Sequence, residues 1–155
     1  MEVVIETLPD IRVAAVREVG PYNTSAPQAW SQLSLWIAKN GMLSRHSIFL
    51  GLRHDPTTTP DDQVRYDAAV SVSEEIDSTG VARELIVPGG EFAMYTHQGS
   101  YETINDAWNK LYWEWLPNSG RTPADQPNIE IYLSDTNFSA DKEIMTKLLL
   151  PLQPI

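Results

Sequence analysis

The chain has 155 residues, no cysteine, 42% hydrophobic and 21% charged residues, and a formal net charge of −10. This size and balance are typical of one globular domain with a single core. An acidic chain repels phosphate backbones, so direct nucleic-acid binding is not expected. The lack of cysteine excludes disulfides and thiolate metal ligands and fits a cytoplasmic protein. No stretch stays apolar for the roughly 18 residues of a membrane span, so no membrane association is expected.

Two segments of the chain, residues 12–41 and 91–120, share one outline. Each contains a glycine, a tyrosine two residues later, an Ala-Trp-x-x-Leu run and a closing glycine. The matched positions are Gly20 and Gly99, Tyr22 and Tyr101, Ala29-Trp30-x-x-Leu33 and Ala107-Trp108-x-x-Leu111, and Gly41 and Gly120. A constant offset of about 79 residues indicates duplication of a supersecondary unit.

The first copy begins with a predicted strand in RVAAVREV, a short run rich in valine and alanine that ends at a glycine. A helix is predicted next, with Pro27 in its first turn behind a cap at Ser25 or Ala26. After the helix, the predicted strands are SIFLGLRH (47–54) and RYDAAVSV (65–72), and the predicted polar connectors are HDPTTTPDDQV (54–64) and EEIDSTGVAREL (74–85).

The second copy repeats this order. EFAMYTHQ predicts a strand, and a helix follows from a Ser100 cap to a stop at Pro117. The last two predicted strands are NIEIYLS (128–134) and EIMTKLLLPL (143–152). The pattern predicts an α+β fold of tandem duplicated βαββ units within one domain over 1–155. Repeat one spans about 3–73 and repeat two about 84–152, with two helices on one face of an antiparallel sheet and the other face left for solvent or for a ligand.

Glu130 is the most informative polar residue, because it lies in mid-strand between Ile129 and Ile131. Strand side chains alternate between faces. We therefore expect the isoleucines to face the helices, and Glu130 and Tyr132 to face the open side. The corresponding strand of the first copy, SIFLGLRH, carries no acid, so the duplication is asymmetric here. A solvated strand face is the simpler alternative for Glu130.

Aromatic residues are numerous, with 5 tryptophans and 6 tyrosines. Trp108 falls on the predicted core stripe of the second helix, and Trp113 falls on its opposite side. Aromatic side chains around one carboxylate are a common way to hold an organic cation. The predicted ligand-binding residues are Glu130, Tyr132, Trp108, Tyr95 and Trp113.

Other motifs give no second site. His46, His54 and His97 are scattered without metal-ligand spacing, so no metal is predicted, and His97 is interpreted as a hydrogen-bonded strand residue. VPGGEF lacks both G-x-G-x-x-G and a P-loop lysine, and no G-x-S-x-G elbow occurs. No cofactor is predicted.

Five segments in order are similar to one known family: TLPDIRVAAVREVGPY, LRHDPTTTPDDQVRYDAAVSV, VPGGEFAMYTHQGSY, WLPNSG and PNIEIYLSD. Over about residues 3–152 the chain resembles the GyrI-like small-molecule-binding domain. That family includes effector-binding domains fused to AraC-type transcription regulators and stand-alone DNA gyrase inhibitory proteins. The resemblance implies a tandem βαββ fold with pseudo-two-fold symmetry and a ligand cleft between the repeats, on the sheet face away from the helices. It also implies a central glutamate at Glu130, with Tyr132 and Trp108 at matching aromatic positions.

Three functions follow as hypotheses from these residues and the resemblance. The first is a stand-alone effector-binding or sequestering module for hydrophobic, cationic small molecules, linked to transcription regulation or drug and toxin resistance. The second is a hydrolase of strained electrophilic natural products that uses Glu130 and Tyr132. The third is a protein inhibitor of DNA gyrase. The partners are therefore a small ligand and either a regulator or gyrase.

Overall fold

Eight strands and two α-helices make up the regular structure of the described residues, which are 1–55, 58–133 and 144–155 of a computed structural model. The elements in chain order are β1 (Val4–Leu8), β2 (Ile11–Val19), α1 (Tyr22–Asn40), β3 (Phe49–Arg53), β4 (Arg65–Ser71), β5 (Arg83–Val87), β6 (Gly90–Gln98), α2 (Ile104–Lys110), β7 (Asn128–Tyr132) and β8 (Met145–Pro151). The chain divides into a first unit, Asp10–Pro88, and a second unit, Met1–Pro9 with Gly89–Ile155.

The first unit is an antiparallel sheet in the order β3-β4-β2-β5, with α1 packed on one face. Small residues line that face, so the helix can approach closely. Ala29 and Leu33 of α1 pack there on a buried cluster whose strand members are Ala14, Val16, Tyr66, Ala68 and Val70. The helix itself begins one turn before the predicted cap at Ser25 or Ala26, because Pro21 caps it and its carbonyl accepts from the backbone of Thr24 and Ser25. Pro27 consequently lies inside the helix.

The second unit is an antiparallel sheet in the order β1-β6-β8-β7, and α2 packs on one of its faces. Ser100 caps the helical segment as predicted, since its Oγ accepts from the backbone of Glu102. The segment is not one regular helix. A 3₁₀ turn precedes α2, and a π-helical turn (Leu111–Trp115) and a second 3₁₀ turn (Leu116–Asn118) follow it.

The two units confirm the predicted duplication in their hydrogen-bond registers. Val13 pairs with Ser71 in the first unit, and Phe92 pairs with Pro151 in the second. The glycine after each of these first strands has the same conformation, with φ of 125° at Gly20 and 133° at Gly99. The N–H of Gly20 donates to the carbonyl of Val64, just before β4, at 2.9 Å. The N–H of Gly99 donates in the same way to the carbonyl of Ile144, just before β8, at 2.8 Å. The α+β class and the two βαββ units are therefore correct.

Two strands, β1 and β5, are absent from the predicted pattern. The stretch EEIDSTGVAREL, interpreted as a connector, contains the start of β5, which pairs only with β2 among the described strands. β5 is short and begins with two charged residues, as edge strands often do. Its sequence therefore looks like that of a loop. β1 pairs with β6 and not with its neighbour β2, and Pro9-Asp10 lacks the glycine or asparagine of a tight hairpin. Residues 3–9 thus belong to the second unit, although the first repeat was expected to begin near residue 3.

The ends of two predicted strands, at Ser134 and Glu143, lie outside the described residues. No helix in the described parts of the chain has the length and hydrophobicity needed to cross a membrane.

Gly20 offers a direct test of the bend that the two units share. Gly20→Ala should lower the free energy of unfolding by about 1–3 kcal/mol, because φ of 125° is strained for any residue with a Cβ. No heavy atom lies within 4 Å of the Cβ that alanine would add, so the cost is one of backbone conformation. Urea denaturation measures it. Gly80→Ala, which is equally uncrowded and has no strained φ, is the control and should change stability little; equal effects in the two variants would contradict the argument.

Candidate functional site: a buried glutamate among aromatic side chains

Glu130 lies on the helix-bearing face of its sheet. It is opposite Leu148 of β8, which packs in one cluster with Trp108 of α2. Ile129, opposite Leu149, therefore points to the other face. The prediction that the isoleucines face the helix was wrong. Alternation shows only that Glu130 and Ile129 point in opposite directions, and both are buried, with 3% and 2% of their surface exposed. Hydrophobicity alone could not tell which face the helix covers.

Two neutral donors hold the carboxylate of Glu130. Trp108 Nε1 donates to Oε2 at 2.8 Å, and Tyr132 Oη donates to Oε1 at 2.6 Å. Hydrogen bonds to an ionised acceptor are short and strong, and they offset much of the cost of burying the group. The alternative of a solvated strand residue is therefore excluded for Glu130.

Further aromatic rings lie next to the two donors of this carboxylate. The ring of Tyr101 lies edge-on to Tyr132, with centroids 5.5 Å apart, and Trp108 lies 6.4 Å from Tyr112. The side chains of Tyr112 and Asn128 exchange hydrogen bonds of 3.1 and 2.9 Å, which ties the helical segment to the start of β7. Burial raises the pKa of Tyr112 above its ordinary value, and the hydrogen bond with Asn128 opposes this only partly. Tyr112 is therefore neutral at physiological pH.

Four of the five predicted ligand-binding residues lie on the helix-bearing side of the sheet in the second unit. The fifth, Trp113, does not lie with them. Tyr95 lies in the same cross-strand row as Glu130, with Leu148 between them, and packs against the same core. Trp113 is 64% exposed, on the side of the helical segment away from the buried Trp108. Tyr101 and Tyr112 were not predicted, although Tyr101 was already a landmark of the repeat.

The first unit has a different arrangement at the equivalent place. Gly51 of β3 lies opposite Ala68, which corresponds to Glu130 opposite Leu148, so the first unit has no side chain where the second has its acid. Trp30 there donates to the hydroxyl of Tyr66 at 2.8 Å instead. The predicted asymmetry is confirmed, and the charged site belongs to the second unit alone among the described residues.

The first unit instead carries a buried acid on its other face, which the sequence analysis missed. Asp67 of β4 is completely buried. Arg17 donates to both of its oxygens, at 2.9 and 3.1 Å, and His54 Nε2 lies 2.6 Å from Oδ2. Arg83 approaches to 3.6 Å. Burial acts to raise the pKa of Asp67, but the hydrogen bonds and charges of His54 and Arg17 outweigh it and leave that pKa below its usual value.

Comparison with known proteins identifies the fold family. A family model described as the GyrI-like small molecule binding domain matches residues 1–153. The chain belongs to the GyrI-like family. This GyrI-like chain is 31% identical over 136 residues to the Bacillus subtilis (strain 168) SPbeta prophage protein YosT, whose name proposes a transcriptional regulator; the match covers 86% of this chain and 90% of YosT. It is 27% identical to a DNA gyrase inhibitor of Erwinia billingiae (strain Eb661), covering 93% of this chain and 94% of the relative.

Solved structures share the GyrI-like fold at low sequence identity. The EcmrR C-terminal domain superposes with a TM-score of 0.80 at 16% identity, covering 99% of this chain and 98% of that one. SAV2435, solved bound to tetraphenylphosphonium, superposes with a TM-score of 0.68 at 14% identity, covering 99% and 94% of the two chains. At such identities the likeness establishes the fold alone.

Proposed function

We propose that this GyrI-like domain binds hydrophobic, cationic small molecules, and that Glu130 is the centre of the site. The observation that carries the proposal is a buried carboxylate held by Trp108 Nε1 and Tyr132 Oη, with aromatic rings around it. Burial in a low-dielectric site strengthens the attraction between this carboxylate and a cation. The aromatic faces add cation–π attraction and apolar contact area.

Access to Glu130 requires a side chain to move, because only 3% of its surface is exposed. Trp108 is fixed in the core, whereas Tyr132 is only partly buried and Tyr101 is 38% exposed. Displacement of the two tyrosine rings is therefore the least costly route. It would withdraw the Tyr132 hydroxyl from Oε1 and let an incoming cation approach that oxygen. The cleft between the repeats stays a prediction, but Glu130 lies on the helix-bearing face of its sheet and not on the face where that cleft was expected.

Two comparisons support this proposal. The family model describes small-molecule binding, and the structural neighbour SAV2435 was solved with tetraphenylphosphonium, a lipophilic cation. The regulator-like and gyrase-inhibitor names of relatives support a role as a cytoplasmic effector-binding or sequestering domain that acts with a regulator or with gyrase. A DNA supercoiling assay with purified gyrase tests the inhibitor alternative directly.

Titration of the parent protein with tetraphenylphosphonium and a panel of aryl ammonium compounds tests the binding function. We expect quenching of tryptophan fluorescence, since Trp108 contacts the carboxylate, together with a rise in melting temperature. Neutral aromatic compounds of similar size serve as the control and should bind more weakly. If no cation changes the emission or the melting temperature, the binding proposal is wrong.

The hydrolase is a second candidate, favoured by the 2.6 Å contact between Tyr132 Oη and Glu130 Oε1. A carboxylate can act as a general base toward water while an adjacent phenol donates a proton to a leaving oxygen. Water would then open a strained ring such as an aryl epoxide, and the oxygen released from carbon would take up the tyrosine proton. Product analysis of the parent with styrene oxide tests this, and Tyr132→Phe should abolish any turnover that depends on the pair.

A further inference from the structure

Thr146 of β8 has a buried hydroxyl for which the described parts of the chain offer no hydrogen-bond partner. Its side chain is completely buried, and its Oγ1 has no hydrogen-bond partner among the described residues. An unsatisfied buried hydroxyl destabilises a protein, whereas valine has nearly the same shape and suits a strand equally well. A threonine at this position is therefore costly for the empty protein.

The strand register places this hydroxyl beside the carboxylate site. Thr146 lies directly opposite Tyr132 on one side and His97 on the other. It is two residues from Leu148, the partner of Glu130, and so faces the same side of the sheet. Glu130 and Thr146 are diagonal neighbours, which lie about 7–8 Å apart in an antiparallel pair.

His97 does not satisfy Thr146, because its ring is engaged elsewhere. Its Nε2 lies 2.9 Å from Thr103 Oγ1 and 3.3 Å from the carbonyl of Ser100. This confirms the interpretation of His97 as a hydrogen-bonded strand residue. The same hydrogen bonds hold the His97 ring in place on one side of Thr146. The neighbour of Thr146 that can move is therefore Tyr132, on the other side.

We propose that Thr146 is a specificity-determining contact that hydrogen-bonds the ligand when Tyr132 moves away from Glu130. This inference rests on the proposed function and narrows its ligand class. The ligand is an organic cation with a hydroxyl or carbonyl group that reaches Thr146 while the positive centre lies at Glu130, since these two residues are diagonal neighbours on one face of the sheet. A site that must pair its own buried polar group discriminates against ligands that lack the matching group.

Calorimetric titration with tyramine and phenethylamine tests the inference, because these two ammonium compounds differ only in one phenolic hydroxyl at the far end of the ring. The parent should bind tyramine more tightly by about 2- to 12-fold, the range of one neutral hydrogen bond. Thr146→Val should remove this preference and leave phenethylamine affinity unchanged, whereas Thr146→Ser should retain it.

Ser25→Ala is the matched control for removing an unsatisfied hydroxyl. Ser25 Oγ is also buried and without a hydrogen-bond partner in the described chain, but it lies on α1 of the first unit. Both Thr146→Val and Ser25→Ala should melt at or above the parent's temperature, and only Thr146→Val should change the tyramine preference.

The other possible outcomes would contradict the inference, and they show whether the proposed function fails with it. An unchanged tyramine preference in Thr146→Val, or an equal loss of affinity for both amines, would show that Thr146 is only a packing residue. Binding of tetraphenylphosphonium without either amine would refute the inference and leave the proposed function standing. No binding of any cation would refute both.

Discussion

Replacing Asp67 by asparagine should lower the free energy of unfolding by about 3–5 kcal/mol. This is the cost of breaking a buried ion cluster by neutralising one member. The asparagine amide has a donor where Asp67 has an acceptor, so Arg17 and His54 would face a positive hydrogen instead of a negative oxygen. Urea denaturation at neutral pH measures the change.

Glu91→Gln is the control for Asp67→Asn, because Glu91 also pairs with an arginine but is partly exposed. Arg121 Nη2 lies 3.1 Å from Glu91 Oε1, and the Glu91 side chain is 37% exposed. An ion pair of this kind contributes about 0–1 kcal/mol. If the two variants lost similar stability, the cluster around Asp67 would be no more important than a surface pair.

The difference between the parent and Asp67→Asn should shrink in acid. The pKa of Asp67 lies below its ordinary value in the folded protein, so the folded state favours the charged form. The stabilisation is therefore complete above the ordinary value of 3.8 and is lost as the pH falls through the lowered folded pKa. The stability curves of the two proteins should therefore approach each other as the pH falls below 3.8; a constant gap would contradict the assignment.

Glu130→Gln should weaken cation binding by about 1–3 kcal/mol, or roughly 5- to 150-fold. The substitution keeps the shape and removes the charge. It also keeps the hydrogen bonds, because the glutamine oxygen can accept from Trp108 and its amide can donate to the hydroxyl of Tyr132. Calorimetric titration with tetraphenylphosphonium measures the loss.

Two controls separate charge from shape in this experiment. A neutral aromatic ligand should bind the parent and Glu130→Gln almost equally, and the stability of the empty protein should stay equal or rise slightly because burying a charged group is costly. Equal cation affinity in the two proteins would show that the carboxylate does not take part in binding.

The duplication could be predicted from the sequence because its landmarks have strong local causes. A glycine at each bend and an aromatic stripe on each helix are properties of short segments. Glu130 stood out for the same reason, as a charge in mid-strand. Asp67 has the same kind of environment in RYDAAVSV, with a large tyrosine on one side and alanine on the other. It could have been found by the same argument.

The features that could not be predicted depend on long-range pairing. Both faces of the sheet in the second unit carry buried side chains, so the alternation in NIEIY does not show which face α2 covers. The pairing of β1 with β6 joins Val4 to Met94, and nothing within MEVVIETLPD specifies so distant a partner. The sequence likewise does not show that the Thr146 hydroxyl has no hydrogen-bond partner within the described residues. That property depends on how three neighbouring strands pack together.

The pairing of β1 with β6 has a consequence for synthesis on the ribosome. β1 is synthesised before the first unit, but its partner strand begins at Gly90, after the whole first unit has been synthesised. At about 5–20 residues per second, β1 waits roughly 5–20 s for β6. During that interval the nascent chain exposes a short strand with Val4 and Ile5 on it. Glu2 and Glu6 flank these two residues and place negative charge beside the waiting strand, where it opposes aggregation.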